Sequence, residues 1–250
     1  MSAAVRSEAL KLVRSPVGSI ATLALVVGTL VLLGGITAAL ASGNPELTAK
    51  VGVGATLDWA GLLASAAQIT SAGGLLGSGV VLAWLFGREF TDGTVVALFA
   101  LPVGRGRIAL GKLAVYAVWL VGVNAALTVG LLVLGSALGY GAPSADTWAG
   151  LGRQLVLGVL AGASATPVAW VATVTRSLLA GVGGAIGLVV VTQVGVLAAA
   201  GGWLPLAAPA LWAMSGGSAV TVVQLGLTLA VALAFAGWTA ASWQRMQVVR

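Results

Sequence analysis

The octapeptide GRIALGKL, residues 106–113, comes within one residue of a phosphate-binding loop. In that loop, G-x-x-x-x-G-K-[ST], backbone N–H groups cradle phosphates, the lysine reaches the terminal phosphates and the last hydroxyl holds Mg²⁺. Gly106, Gly111 and Lys112 fit, but Leu113 has no hydroxyl. The loop also needs a buried strand before it and a helix after it within a soluble α/β domain. Here LAVYAVWLVGVNAALTV follows, a hydrophobic stretch long enough to enter a membrane, and no strand ending in Asp is available elsewhere. The chain is not expected to bind nucleotide. Other catalytic chemistry is equally poorly provided for. With no His and no Cys, imidazole or thiolate metal sites, disulfides and Cys–His nucleophiles are excluded. No paired carboxylates fall within the apolar stretches, which argues against an intramembrane hydrolase or a proton relay.

The elements that position these residues are apolar helices. The chain is 59% hydrophobic and 7% charged, whereas a soluble domain is roughly one-quarter charged. The charges divide the sequence, since an ionised side chain at mid-bilayer costs several kcal/mol. Uncharged intervals run from Arg14 to Glu46, Asp58 to Arg88, Lys112 to Asp146 and Arg153 to Arg176. The 68 uncharged residues between Arg176 and Arg245 divide at GGWLPLAAPALWAMSGGS (201–218), where Pro205, Pro209 and paired glycines break a helix. The chain thus reads as all-α, a single polytopic membrane domain with six spans near 17–41, 60–86, 113–138, 152–174, 178–200 and 219–242.

Six spans place both termini on one side. That side carries Arg6, Lys11, Arg14, Arg88, Arg105, Arg107, Lys112, Arg176, Arg245 and Arg250; the other has Lys50 and Arg153. The positive-inside rule makes both termini cytoplasmic, and the net charge of +6 becomes a topology and head-group signal rather than a nucleic-acid footprint. Arg6, Lys11, Arg14, Arg105, Arg107 and Lys112 are expected to anchor at the cytoplasmic interface. Trp59, Trp148, Trp203 and Trp212 at outer ends, with Trp84 and Trp243 at inner ends, suit an aromatic belt. The first span, ending in AALASG (38–43), is too long for a signal-peptide core and reads as a retained anchor. AVRSEALKLVRS (4–15) precedes it as a short interfacial helix that could turn Val5, Ala9, Leu12 and Val13 to the membrane; an ordinary basic flank is the alternative.

Residues 87–112 form the one connection rich in charge. Thr91 or Asp92 can cap an apolar helix from Thr94 to Leu101, Pro102 ends it, and Gly104 and Gly106 are expected to turn the chain back to the bilayer. Within the spans, Gln68, Asn124, Gln193 and Gln224 are candidates for a substrate path, weighed against simple interhelical hydrogen bonding. Gly73/Gly77, Gly158/Gly162 and Gly183/Gly187 have the spacing of helix-packing surfaces.

Gly87-Arg88-Glu89-Phe90, then Asp92-Gly93-Thr94, Leu101-Pro102-Val103, Arg105 and Gly111-Lys112-Leu113, resembles the permease subunits of ABC-2 type transporters. Glu8-Ala9-Leu10-Lys11-Leu12-Val13-Arg14-Ser15-Pro16 is similar to their opening motif, although Gly104 stands where Ser is common in L-P-V-S-R. The resemblance implies a six-helix permease of type V exporter-like architecture in the cytoplasmic (inner) membrane. It would pair with a second permease subunit, as homodimer or heterodimer, and with two cytoplasmic ABC ATPase subunits. ATP and Mg would be bound by those ATPases, with no cofactor or metal on this chain. The resemblance assigns Arg88, Glu89, Phe90, Asp92, Gly93 and Thr94 to ATPase coupling, and short extracellular helices to the 201–218 segment. An ATP-independent carrier or channel, and a non-transporting anchor that transmits force from an ATPase, are the alternatives.

Overall fold

The computed structural model describes residues 2–43, 56–100, 102–197 and 201–247. Glu46, Lys50, Leu101 and Arg250, named above as topology or motif residues, lie outside them. Among the described residues all regular structure is helical, and six helices are long and apolar enough to cross a membrane.

Helix α1 (Ser2–Val13) is followed by α2 (Pro16–Ala41), the first candidate span. Ser15 makes the corner. Its hydroxyl oxygen accepts from the Gly18 N–H at 2.8 Å, and Pro16 occupies the first helical turn, where a missing N–H costs nothing. The chain folds so tightly here that a Cβ on Gly18 would lie 2.2 Å from the Leu12 carbonyl oxygen. The S-P pair and Gly18 therefore lay α1 across the bundle instead of letting it extend α2.

Helix α3 (Trp59–Thr91) contains a π-turn at Thr70–Gly74 and leads through Gly93, at φ +68°, into the short α4 (Val95–Phe99). Helix α5 (Arg105–Ala137) runs back through the bundle. The fourth span is α6 (Ala145–Ala163) broken by residues 164–166 before α7 (Pro167–Thr175), with Pro167 in the first turn of the second piece. Helix α8 (Leu178–Leu197) is the fifth span. The 201–218 segment holds a single 3₁₀ turn at Gly201–Trp203 and a short helix, α9 (Ala208–Met214). The last span is α10 (Val222–Arg245), opened by a capping box between Thr221 and Gln224.

Two apolar clusters fill the bundle. The one nearer the termini joins Leu12, Phe86, Ile108, Tyr116, Val168 and Trp243; the other joins Leu33, Trp59, Leu62, Leu127 and Leu151. Close helix approach rests on particular glycines. A Cβ on Gly79 would meet Ala185 at 2.5 Å, and one on Gly87 would meet the Leu178 Cα at 2.6 Å, which locks α3 to α8. Gly158 and Gly162 pack against Asn124 and Leu120 of α5, as their spacing predicts. Gly183 and Gly187 do not pack this way: both face open space, as does Gly73, while Gly77 meets Leu25.

Several expectations are corrected at the terminal end of the bundle. Gly106 does not turn the chain; it lies inside α5, with Gly104 just before the first turn, and it admits Gln244 of α10 at 2.6 Å from its would-be Cβ. Neither Thr91 nor Asp92 caps α4. Asp92 closes α3 and pairs with Arg88 one turn back, at 3.1 Å. Trp243 is fully buried and Trp59 nearly so, so these two are core residues and not part of a belt, whereas Trp148 and Trp203 are exposed. In α1, Leu12 is buried and Val5 and Ala9 pack on the core, so of the proposed membrane-facing residues only Val13 is exposed.

Candidate functional site at the terminal end of the bundle

Four charged side chains from three elements meet where α1 crosses the ends of α3 and α5. Lys112 Nζ lies 2.8 Å from Glu8 Oε2 and 2.9 Å from Glu89 Oε1. Lys11 Nζ lies 2.7 Å from Glu8 Oε1 and 3.1 Å from the same Glu89 oxygen. Two carboxylates and two ammonium groups thus balance to zero. Glu8, Glu89 and Lys112 are at most 4% exposed, and Lys11, half-buried, connects the group to the surface. Burial opposes the Lys11 charge, but its hydrogen bond to Glu8 and the charges of Glu8 and Glu89 outweigh it, leaving its pKa above the usual 10.5.

The local sequence explains the convergence. In E-A-L-K-L, Glu8 and Lys11 are three apart and share a helix face with Leu12. Glu89 lies in the last turn of α3 and Lys112 two turns into α5, so each is carried on a helix. Removing a single partner would strand a buried charge, which costs about 3–5 kcal/mol. The cluster is therefore a set of mutually dependent clamps between α1, α3 and α5.

An aromatic box adjoins it. Trp243 of α10 lies edge-on to Phe86, Phe90 and Phe99, with ring centroids 5.9, 6.2 and 5.8 Å away. Its Nε1–H donates to Thr173 Oγ1 at 3.1 Å, and Lys112 Nζ stands 5.9 Å from its ring. Phe99 carries α4 onto this box, and Arg105 stacks on Phe99 at 4.6 Å while donating to the Met246 carbonyl. Helix α4 is thereby tied to α3, α5 and α10, while Asp92, Gly93, Thr94 and Val96 are exposed.

A family model described as ABC-2 family transporter protein matches residues 4–195, more than three-quarters of the chain. The chain belongs to the ABC-2 transporter family. No curated protein matches it. An ABC-2 family protein is the membrane component of an ABC transporter and not itself its ATPase, and membership implies association with an ABC ATPase partner.

The ABC-2 motif residues divide between two surroundings. Glu89 and Phe90 point into the ion cluster and the aromatic box, Arg88 lies 4.9 Å over Trp84 while holding Asp92, and Gly93 and Thr94 are outermost. Among the basic residues expected at the interface, Arg6, Arg14 and Arg107 are exposed, whereas Lys112 is turned inward and is corrected to a cluster member. Lys11, Arg14, Arg88 and Trp84 also line a cavity of about 670 Å³ beside α1. The four amides are not brought together. Asn124 sits against Gly158 and donates to the Leu120 carbonyl, Gln224 caps α10, Gln193 is exposed on α8, and Gln68 lines a cavity at the opposite end. Sequence reasoning missed Glu8 and Trp243 as site residues. The spacing of Glu8 and Lys11 was visible, but nothing in one dimension indicates that their partners lie beyond residue 88.

Proposed function

We propose that this chain is the permease of an ATP-driven exporter of the cytoplasmic membrane, with both termini cytoplasmic. It works with a second permease subunit and two cytoplasmic ABC ATPases, which bind and hydrolyse ATP with Mg. The segment from Arg88 to Gly104 is the surface on which an ATPase docks. Asp92, Gly93, Thr94 and Val96 supply the outward contact. Glu89 and Phe90, with Arg88 at the rim, pass displacement inward. The observation that carries this reading is the exposed α4, whose Phe99 rests on the aromatic box beside the buried ion cluster. Because α3 enters the cluster through Glu89 and α5 leaves it through Lys112, force delivered at the end of α3 and through Phe99 bears on two spans at once. The ten-to-two distribution of basic residues supports the orientation.

The test uses the chain co-expressed with its ATPase and reconstituted in liposomes. Val96→Asp places a charge on an exposed apolar contact residue, 59% accessible, without touching the core. Substrate-coupled ATPase activity should fall to the level of the isolated ATPase while the melting temperature of the permease is unchanged. Undiminished coupling in both Val96→Asp and Glu89→Ala would overturn the docking assignment. Transport by this chain in liposomes free of ATPase would replace the whole reading with that of an ATP-independent carrier.

A further inference from the structure

The cavity of about 670 Å³ beside α1 sits where three spans meet the membrane surface. Pro16 begins the first span, Leu178 begins the fifth, and Trp84 and Arg88 stand near the end of the second; all four line it. Two helices thus start at the cavity and two, α1 and α3, end beside it. Their end charges offset one another, so side chains set the sign of the site.

The basic residues of the lining are Lys11, Arg14 and Arg88. Lys11 is balanced within the ion cluster by Glu8 and Glu89. Arg88 is held through Nε by Asp92 at 3.1 Å and lies over the Trp84 ring. Arg14 is held by nothing: it is exposed, and among the described residues its guanidinium forms no hydrogen bond and no ion pair. With the cluster neutral, Arg14 and Arg88 against Asp92 leave the site at +1. A guanidinium is always charged and offers donors only, so its complement is an anion with acceptor oxygens. Its planar fork matches the geometry of phosphate.

Below the cavity the surface is apolar. Pro16, which lines the cavity, is followed by Ile20, Leu23 and Val27 at spacings of four, three and four, which places them on one face of α2; all four are exposed. They cover roughly 16 Å of helix, about one leaflet of a hydrocarbon core roughly 30 Å thick. Leu179, one residue into α8, is 80% exposed at the same level as the cavity. A soluble phosphate, or a carboxylate of a partner protein, would use the arginines and leave this stripe without a role.

We propose that the cavity is a site for one anionic diacyl phospholipid. Arg14 and Arg88 take its phosphodiester, and one acyl chain lies along Pro16, Ile20, Leu23 and Val27. The single negative charge of that head group matches the +1 of the site. A zwitterionic lipid brings the same phosphate but adds an ammonium beside two guanidiniums, with Asp92 already committed to Arg88. Unlike diffuse attraction of basic residues to head groups, such a site fills with one lipid and depends on two particular side chains. It requires only that this end of the bundle lie at a membrane surface, so it stands or falls independently of ATPase coupling and of the direction of transport.

The experiment titrates the purified full chain in detergent with phosphatidylglycerol, phosphatidylcholine or the tail-less anion glycerol 3-phosphate, and counts bound molecules by native mass spectrometry. One phosphatidylglycerol should bind at least about tenfold more tightly than either of the others. Arg14→Gln should weaken it about tenfold, the worth of a charge-assisted hydrogen bond, and Arg14→Lys, which keeps the charge without the fork, by less. Arg107→Gln removes an equal charge from an exposed position outside the cavity and should change the affinity by less than about twofold. Because Arg14 is exposed and unpaired, the melting temperature of its variants without lipid should equal that of wild type, which separates lost binding from lost folding. Equal affinity for the two lipids, equal effects of Arg14→Gln and Arg107→Gln, or graded uptake of many lipids with no preferred first one would overturn the proposal. Glycerol 3-phosphate binding as tightly as phosphatidylglycerol would identify a soluble phosphate as the occupant and overturn it too. Lipid binding untouched by Arg14→Gln, with ATPase association lost in that variant, would assign Arg14 to the partner protein and have the same consequence.

Discussion

Lys112→Met is the perturbation that most directly examines the ion cluster. The substitution keeps the length of the side chain and removes its charge. In the native structure Lys112 satisfies Glu8 at 2.8 Å and Glu89 at 2.9 Å, and the four groups sum to zero. Without it the buried group carries one surplus negative charge, with Lys11 alone to serve two carboxylates. Breaking a buried pair in this way costs about 3–5 kcal/mol. For a chain of this size roughly 2–4 °C is lost per kcal/mol, so the melting temperature should fall by roughly 6–20 °C. Glu89→Gln alone strands the opposite charge and should cost a similar amount. The double variant restores neutrality, because Glu8 and Lys11 remain paired at 2.7 Å. It should therefore be more stable than the sum of the single losses by about 1–3 kcal/mol, the coupling typical of groups in one network. Thermal melting of the four proteins in one detergent or nanodisc, followed by circular dichroism, measures the cycle. Strict additivity, or a loss under about 2 °C for Lys112→Met, would refute the view that these charges depend on one another.

Other consequences follow from the same geometry. Gly87→Ala, whose Cβ would lie 2.6 Å from the Leu178 Cα, should destabilise by about 1–3 kcal/mol, whereas Gly183→Ala in open space should be neutral or gain about 0.5–1 kcal/mol; melting temperatures measured side by side distinguish them. Thr221→Ala removes the capping box of α10 and should cost about 1 kcal/mol, seen as faster amide exchange confined to the first turn of that helix. The raised pKa of Lys11 means that its contribution is complete at neutral pH and is lost only as pH rises through a value above 10.5; a melting temperature that already declined between pH 7 and 9 in wild type but not in Lys11→Met would contradict this.

The resemblance of residues 106–113 to a phosphate loop shows why local patterns need their surroundings. Leu113 already spoke against nucleotide, and the structure places the whole stretch inside α5. There Gly106 gives room to Gln244, and Lys112 neutralises carboxylates of its own chain. The lysine that a nucleotide site would have aimed at phosphate is aimed at Glu8 and Glu89.

The number, order and rough limits of the spans were legible in one dimension, because burial in a bilayer is governed by hydropathy and charge, which are properties of successive residues. The ABC-2 resemblance was legible for the same reason, since its motifs are contiguous. The sharp corner at Ser15-Pro16 was also marked locally, though not the close approach that Gly18 permits. What only the tertiary structure decided is which side chains of different helices face one another. An amphipathic face on α1 has the same pattern whether it meets lipid or protein, and only the packing against α5 turned Glu8 and Leu12 inward. Gln154 gave no more signal than Gln68 or Gln193, yet it is buried with its amide on the Thr70 hydroxyl, because α6 packs against the π-turn of α3. Such facts depend on distances between residues far apart in sequence, and hydropathy carries no information about them.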